Sequence, residues 1–550
     1  MQAHRLAVAL ATALFCTTPA LAATPASSEG AIAPTANAAT SNAARETLTQ
    51  KLSQPLASVT HGSVTIDGKS INYQAVAGTL VLDGTGAKES TPEIAMGYFA
   101  YFKQGADPAK RPITFIYNGG PGSSTVWLHM GAWGPQRVVT SDDTHTPAAP
   151  YKLVNNDYSL LDASDLVFID MPGTGFGRLL PQGKDDAATA ASRKELAKAT
   201  WGVDGDGQAF ARFITQFLGK YNRWNSPKYL FGESYGTTRS AVLANLLQSR
   251  YNVDLNGVML LSQILNFGLS IDGPEMNPGA DMPYVLALPT FAATAWYHHK
   301  LPGYGADQLE PLLKASIQFA RTDYEQALAA GSTLDPAKKQ QIAEKLHSFT
   351  GLPVDYLLKA NLRVSGSMFE QQLQASTDTA TGRLDTRFSG PSMDPLAKES
   401  WYDPQSAAIS SAYVSTFNDY VRNTLKFGAG MTYRPSVYGA DDFHWDWKHM
   451  APGQRFARGG TPNVMLDLAA AMKYNPNLKV RLYGGFYDLA TPFYTAIYEM
   501  EHLPIQPELQ KNISYAFYPS GHMVYAHEPS LQRLHDNAAK FIEATANQAR

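Results

Sequence analysis

The stretch Phe231-Gly232-Glu233-Ser234-Tyr235-Gly236 decides how this chain is read. A short apolar run, Lys228 to Phe231, leads into it, and a helix-like segment, Thr238 to Leu247, follows. Strand, small-residue turn and helix is the context in which G-x-S-x-G forms a nucleophile elbow. The flanking glycines permit a strained turn that lifts the serine hydroxyl clear of the backbone. The five-residue pattern also recurs by chance, so its meaning depends on whether the chain supplies a base, an orienting acid and an oxyanion hole.

Downstream, the chain offers an acid and then a histidine, the order that an α/β-hydrolase site requires. Tyr483 to Asp488 ends a predicted strand with a carboxylate in a loop, and Ser520-Gly521-His522-Met523-Val524 follows the next predicted strand. In such a site His522 takes the proton of Ser234 as it attacks a carbonyl and returns it to the leaving group. Asp488 orients His522 and stabilises its imidazolium form. Upstream, Pro112 to Tyr117 runs into Asn118-Gly119-Gly120-Pro121-Gly122. The N–H groups of Gly120 and of Tyr235, the residue after the nucleophile, are the best donors to a developing oxyanion.

The elements around these motifs predict an α/β class, an α/β-hydrolase fold with a central, mostly parallel sheet and a large helical cap insertion. Val64, Ile66 and Ile71, Tyr73 flank Asp67-Gly68, a hairpin turn. Further β-like runs are Gly78 to Leu82, Glu93 to Phe102, Asp165 to Asp170, Leu255 to Leu261, Lys479 to Tyr483 and Ser514 to Phe517. Segments 184–200 and 205–221 read as helices, as do a segment near 463–472 and an amphipathic stretch from about 528 to 546. Between Phe267 and the middle 450s the rhythm is mostly helical, as in 306–331, 336–349 and 405–426. The expected organisation is a signal peptide at 1–22 and a linker at 23–55. A hydrolase core at 56–267 and 456–550 then flanks a cap at 268–455.

Bulk properties limit the function classes. The chain has 550 residues, 44% hydrophobic and 17% charged, which reads as globular. A formal net charge of −3 without basic clusters points away from nucleic acid. Arg5, an apolar run from Leu6 to Phe15 and small residues at Ala20 and Ala22 predict a secretory signal. The expected location is therefore periplasmic or secreted, with no stable membrane anchor. Cys16, the one cysteine, lies inside that signal, so the exported chain would carry no disulfide.

In matching order, Asn118 to Ser124, Asp170-Met171-Pro172-Gly173-Thr174-Gly175-Phe176, Gly232 to Gly236, the Asp488 loop and Gly521 to Val524 resemble the serial motifs of the serine carboxypeptidases. The resemblance spans roughly residues 95–267 and 475–535 and leaves the cap uncovered. It implies a serine exopeptidase that removes C-terminal residues from a peptide or protein substrate, often best at acidic pH, without cofactor. It places Ser234, Asp488 and His522 as the triad and Gly120 and Tyr235 as the oxyanion hole. It assigns Asn118, Gly119 and Glu233 to substrate binding, with a protonated Glu233 gripping the terminal carboxylate. The chain departs from the pattern where a second glutamate is expected: Ala132 stands two residues before Gly134-Pro135. Ser123 replaces a cysteine, Phe486 an aspartate, and Thr237-Thr238-Arg239 follows the elbow.

Three further features have competing readings. Arg239 is read first as a structural ion pair and second as a contact to an acidic substrate. The loop with Asp441, Asp442, His444, Asp446 and His449, interleaved with Phe443, Trp445 and Trp447, is read as an aromatic cap loop rather than a metal site. Trp127 and Trp133 either shape a side-chain pocket or pack the core. The missing acid at 132 keeps an aminopeptidase, esterase or acyltransferase on the same fold as an alternative, and a non-catalytic peptide binder as a more distant one.

Overall fold

The computed structural model describes residues 48–546. The expected signal peptide and residues 23–47 of the expected linker lie outside the described residues. Leu52, in the last part of that linker, is fully buried against the sheet.

The ten strands of the main sheet are β1 (Ala57–Ile66), β2 (Lys69–Asp83), β3 (Pro92–Lys103), β4 (Ile113–Tyr117), β5 (Asp165–Ile169), β6 (Arg178–Leu179), β7 (Lys228–Glu233), β8 (Gly257–Leu261), β9 (Lys479–Gly485) and β10 (Ile513–Tyr518). Their order is β1-β2-β3-β5-β4-β7-β8-β9-β10, with β6 on the edge of β3. From β5 to β10 along this path every pairing is parallel, whereas β1, β2 and β3 join antiparallel.

The central strands are short and covered on both faces. β4, β5, β7 and β8 are buried at every residue, which explains why they read as unbroken apolar runs instead of alternating ones. Asp67 and Gly68 both take positive φ, 46° and 73°, as a two-residue hairpin requires. Gly78 to Leu82, read in the sequence as a run of its own, is the second half of β2. That strand keeps its pairing with β3 until a shift between Leu82 and Asp83.

Helices Asp186–Thr200, Val203–Lys220, Tyr235–Tyr251, Met465–Tyr474 and Glu528–Ala546 flank the sheet. Asp185 caps the first by accepting from Ala188 N, and Asp204 and Asp206 sit in the first turn of the second, where the helix dipole favours them. The insertion divides by its packing. Met282–Tyr297, Leu309–Phe319 and Pro336–Thr350 enclose an apolar core of their own. Pro404–Asn423 instead joins the cluster on the sheet, where Phe417 packs edge-on to Phe99 at 5.3 Å. No helix among the described residues is long and apolar enough to cross a membrane.

Two buried charge contacts tie these layers together. Arg239, fully enclosed in the elbow helix, pairs with Asp206 on the neighbouring helix (Nε to Oδ2, 2.6 Å) and donates to the Asn118 carbonyl (2.8 Å). It is thus the structural ion pair, not a substrate contact. His449, at the end of the aromatic loop, is held through both ring nitrogens, by Asp204 (2.6 Å) and Asp467 (2.8 Å). Burial opposes its charge, but the hydrogen bonds and charges of the two carboxylates outweigh this and raise the imidazole to about 9.

Asp206→Ala should therefore cost about 3–5 kcal/mol, because it strands a buried guanidinium; urea unfolding measures it. For His449 the folded pKa lies above the unfolded one, so its stabilisation is complete below about 6.5 and is lost as pH rises through about 9. His449→Gln should lower the urea midpoint at pH 6 and have little effect at pH 10; an equal loss at both would refute the charged clamp.

Candidate active site

The expected site residues come from the C-terminal ends of adjacent strands, where open α/β sheets form their crevices. β7 ends at Glu233, and Ser234 follows with φ 61° and ψ −130°, a strained conformation for a residue with a side chain. Hydrogen bonds fix it from both sides. Its N–H donates to Leu261 O at the end of β8 (3.0 Å), and its carbonyl accepts from Thr237 N (2.8 Å) and Thr237 Oγ1 (2.7 Å).

Asp488, in the loop after β9, and His522, after β10, form a buried pair with Nδ1 2.9 Å from Oδ2. Thr491 completes the carboxylate's shell: its N–H donates to Oδ1 (2.9 Å) and its hydroxyl to Oδ2 (2.6 Å). With Nδ1 committed to Asp488, Nε2 is the nitrogen left for exchange with a hydroxyl. Burial pulls the imidazole pKa down, while the charge and hydrogen bond of Asp488, with Glu233 behind them, more than offset this. His522 therefore lies above its ordinary value. Ser262, just after β8, donates to the His522 carbonyl (2.7 Å) and ties this loop to the strand beside the elbow.

The glycine loop lies directly on the elbow. A Cβ at Gly119 would overlap the backbone nitrogen of Tyr235 and come within 2.7 Å of Glu233 O and Gly236 N, so only glycine allows this approach. Gly120 and Tyr235 therefore sit on touching segments. Arg239 holds the start of the loop through Asn118 O. Asp170, the first residue of the D-M-P-G-T-G-F motif, holds its end by accepting from Thr125 N (2.9 Å) and Thr125 Oγ1 (2.8 Å).

Asn118 and Glu233 meet: Asn118 Nδ2 donates to Glu233 Oε2 at 2.6 Å, and Asn118 Oδ1 accepts from Leu128 N (3.1 Å). Burial raises the Glu233 carboxyl to about 7, against the lowering effect of the His522 charge and of the donors Tyr525 and Asn118. Tyr525 donates to both oxygens, at 2.9 and 3.2 Å. Ala132, where the second acid was sought, is fully buried in the turn His129–Trp133.

Sequence reasoning missed Thr491, Tyr525 and the cap segment at 383–385. Leu489 N donates to Arg383 O (3.1 Å), His522 N to Leu384 O (2.6 Å) and Gly521 N to the Asp385 carboxylate (3.1 Å). Thr491 and Tyr525 each lie three residues after a predicted triad member, a proximity that could have drawn notice. The contacts of 383–385 leave no local pattern.

The aromatic loop covers the elbow from the other side. Trp445 and Trp447 pack edge-on against the Tyr235 ring at 5.1 and 6.3 Å, and Phe267 lies 5.0 Å from Trp447. Of its acids and histidines, Asp442 pairs with Arg193, and His449 with Asp204 and Asp467. Among the described residues no group of three or more such side chains forms a metal-ligand cluster. Trp133 belongs to the core against Phe231. Trp127 is half-buried and donates to Ser123 Oγ (2.9 Å).

The serine carboxypeptidase family model matches residues 88–349. A carboxypeptidase Y homolog from Arthroderma benhamiae is 30% identical over 198 residues, 35% of this chain and 33% of the relative, so the match spans about a third of that protein. Among solved structures, proline iminopeptidase from Mycobacterium smegmatis aligns at 12% identity and a TM-score of 0.34, covering 89% of this chain and all of its own. MenH from S. aureus aligns at 12% and 0.31, covering 83% of this chain and 99% of its own. The strand order and flanking helices are those of an α/β protein with a mostly parallel central sheet, and residues 88–349 are similar to the serine carboxypeptidase family model.

Proposed function

We propose that this protein is a serine-type carboxypeptidase that hydrolyses peptides through an acyl-enzyme intermediate and releases C-terminal residues. The observation that carries the reading is the buried His522–Asp488 pair (2.9 Å), on the strand ends beside a serine whose backbone is forced to positive φ. In this reaction Ser234 Oγ attacks the scissile carbonyl while His522 Nε2 takes its proton. The tetrahedral oxyanion is received by the N–H groups of Gly120 and Tyr235, and collapse expels the amine, which His522 protonates. Water then repeats the sequence on the ester. Asp488 stays ionised and stabilises the imidazolium; neither a metal nor a cofactor takes part.

The C-terminal direction rests on Asn118 and Glu233. A terminal carboxylate can be held beside a buried glutamate only while that glutamate is protonated, since two ionised carboxylates in a dry site repel. Glu233, raised to about 7, provides such a form below neutral pH. A second reading, an acyl-hydrolase or aminopeptidase indifferent to the C-terminus, draws on Ala132, which leaves Glu233 without an acidic partner. Export is part of the proposal only through residues 1–22.

Ser234→Ala should lower turnover of peptides and esters by on the order of 10⁶; unchanged turnover in that variant would remove the triad. N-blocked peptides with free C-termini should release free amino acids. Release only from C-amidated peptides with free N-termini would replace the carboxypeptidase reading with the second one. With free-acid peptides KM should climb as pH passes above about 7 and Glu233 ionises. At lower pH kcat should fall as His522 becomes protonated, from a point above the ordinary histidine range.

A further inference from the structure

The turn His129–Trp133, from which the sequence pattern would present a second acid, is covered by aromatic rings. A Cβ at Gly131 would come within 2.6 Å of the Tyr525 ring and of the Tyr413 hydroxyl, so both rings pack directly on this turn. Ala132 beside it is fully buried, its carbonyl accepting from Asn156 Nδ2 (2.8 Å). The Tyr525 hydroxyl reaches Glu233 and spans both carboxyl oxygens.

We propose that Tyr525 is a positioning residue of this site, a phenol standing against the Glu233 carboxyl, and that its donation to Glu233 sets when that carboxyl can receive a terminal carboxylate. The inference rests on the carboxypeptidase reading above.

The chemistry of a phenol differs from that of a second carboxyl in two ways. A carboxyl partner can share a proton with Glu233 and brings a second negative charge as pH rises. Tyr525 stays neutral, since burial pushes its hydroxyl well above 10, so it donates to Glu233 without adding a negative charge. A donor on both oxygens stabilises the ionised form of Glu233, as does the donor Asn118 Nδ2. The other groups that act on this carboxyl are His522, whose positive charge favours ionisation, and Asp488, whose negative charge opposes it; Tyr413 is buried nearby. The seat for a terminal carboxylate is then built from one titrating group. Protonated Glu233 offers its O–H, and the seat closes in a single ionisation. Tyr525 has one hydrogen, already given to Glu233, so it acts by positioning and tuning that residue rather than by touching substrate.

The test is the pH dependence of KM in Tyr525→Phe, for an N-blocked dipeptide with a free C-terminus and for an N-blocked amino acid ester, which has no carboxylate. Losing one hydrogen bond to the charged form should move the rise in KM for the dipeptide upward by roughly one pH unit. KM for the ester should stay in place, because the ester has no carboxylate for an ionised Glu233 to repel. Glu233→Gln supplies the control, its neutral amide holding KM for the dipeptide flat through the same range. Adding Tyr525→Phe to it should then produce no further displacement. A dipeptide profile that does not move, a displacement shared equally by the ester, or one that persists in the double variant overturns the inference. If Tyr525→Phe does not fold, a dipeptide KM in Glu233→Gln that still rises as in wild type overturns it too. Wild-type protein that hydrolyses the ester but does not release amino acid from the dipeptide overturns the carboxypeptidase reading, and this inference with it. Release by wild type with an unmoved profile in Tyr525→Phe overturns this inference alone.

Discussion

The backbone of Ser234 is the constraint from which the site follows. A residue with a Cβ at φ 61° and ψ −130° costs on the order of 1–3 kcal/mol, and it persists only where its surroundings leave no alternative. Those surroundings are the centre of the sheet. β7 lies between β4 and β8 in parallel register, buried along its whole length, so the chain leaves it at one height and in one direction. Leu261 then takes the Ser234 N–H, and Thr237 holds its carbonyl. Because the glycine loop leaves β4 and the Ser262 hydroxyl follows β8, the same two strands that enforce the elbow deliver the groups that surround it.

A second constraint is electrostatic. Glu233 and His522 are both buried, and each senses the other's charge. With one proton between them, the site can exist as a neutral pair, with acid Glu233 and basic His522, or as an ion pair with the proton moved. The proposed chemistry needs the neutral arrangement, since a protonated imidazole cannot accept from Ser234 and an ionised Glu233 repels a carboxylate. Asp488 favours the imidazolium, and burial favours neutrality for both groups. Such coupled groups titrate as a pair.

What was legible in the sequence is what depends on local backbone chemistry. The elbow, the glycine loop and the ends of β9 and β10 each combine a buried apolar run with a turn that particular residues permit, and both signals lie within a few positions. Their order along the chain then limited the fold. Thr491 and Tyr525 were hidden because a threonine or a tyrosine has many uses, and only the position of Asp488 or Glu233 in space selects one of them. Helix Met282–Tyr297 was hard to read for the opposite reason. It is apolar on nearly every face and contains Pro289, so it lacks the periodicity that marked 336–349. The split within the insertion was also illegible, because Phe417 and Phe349 look alike in sequence yet pack into different cores.

The insertion is nevertheless part of the site's geometry. Three consecutive residues, Arg383, Leu384 and Asp385, accept hydrogen bonds from Leu489, His522 and Gly521, the loops that carry the acid and the base. Asp385 is itself gripped by Arg387, which reaches on to Asp142. A cap that merely shaded the cleft could shift without disturbing the His522–Asp488 distance. Here the backbone of the histidine loop ends on cap carbonyl and carboxylate oxygens, so displacing 383–385 would leave buried N–H groups at Gly521, His522 and Leu489 without acceptors. Each such loss costs about 1–3 kcal/mol, enough to make the insertion and the His522–Asp488 pair move as one unit. The separation between Asp488 and His522 is therefore set by the sheet on one side and by the insertion on the other.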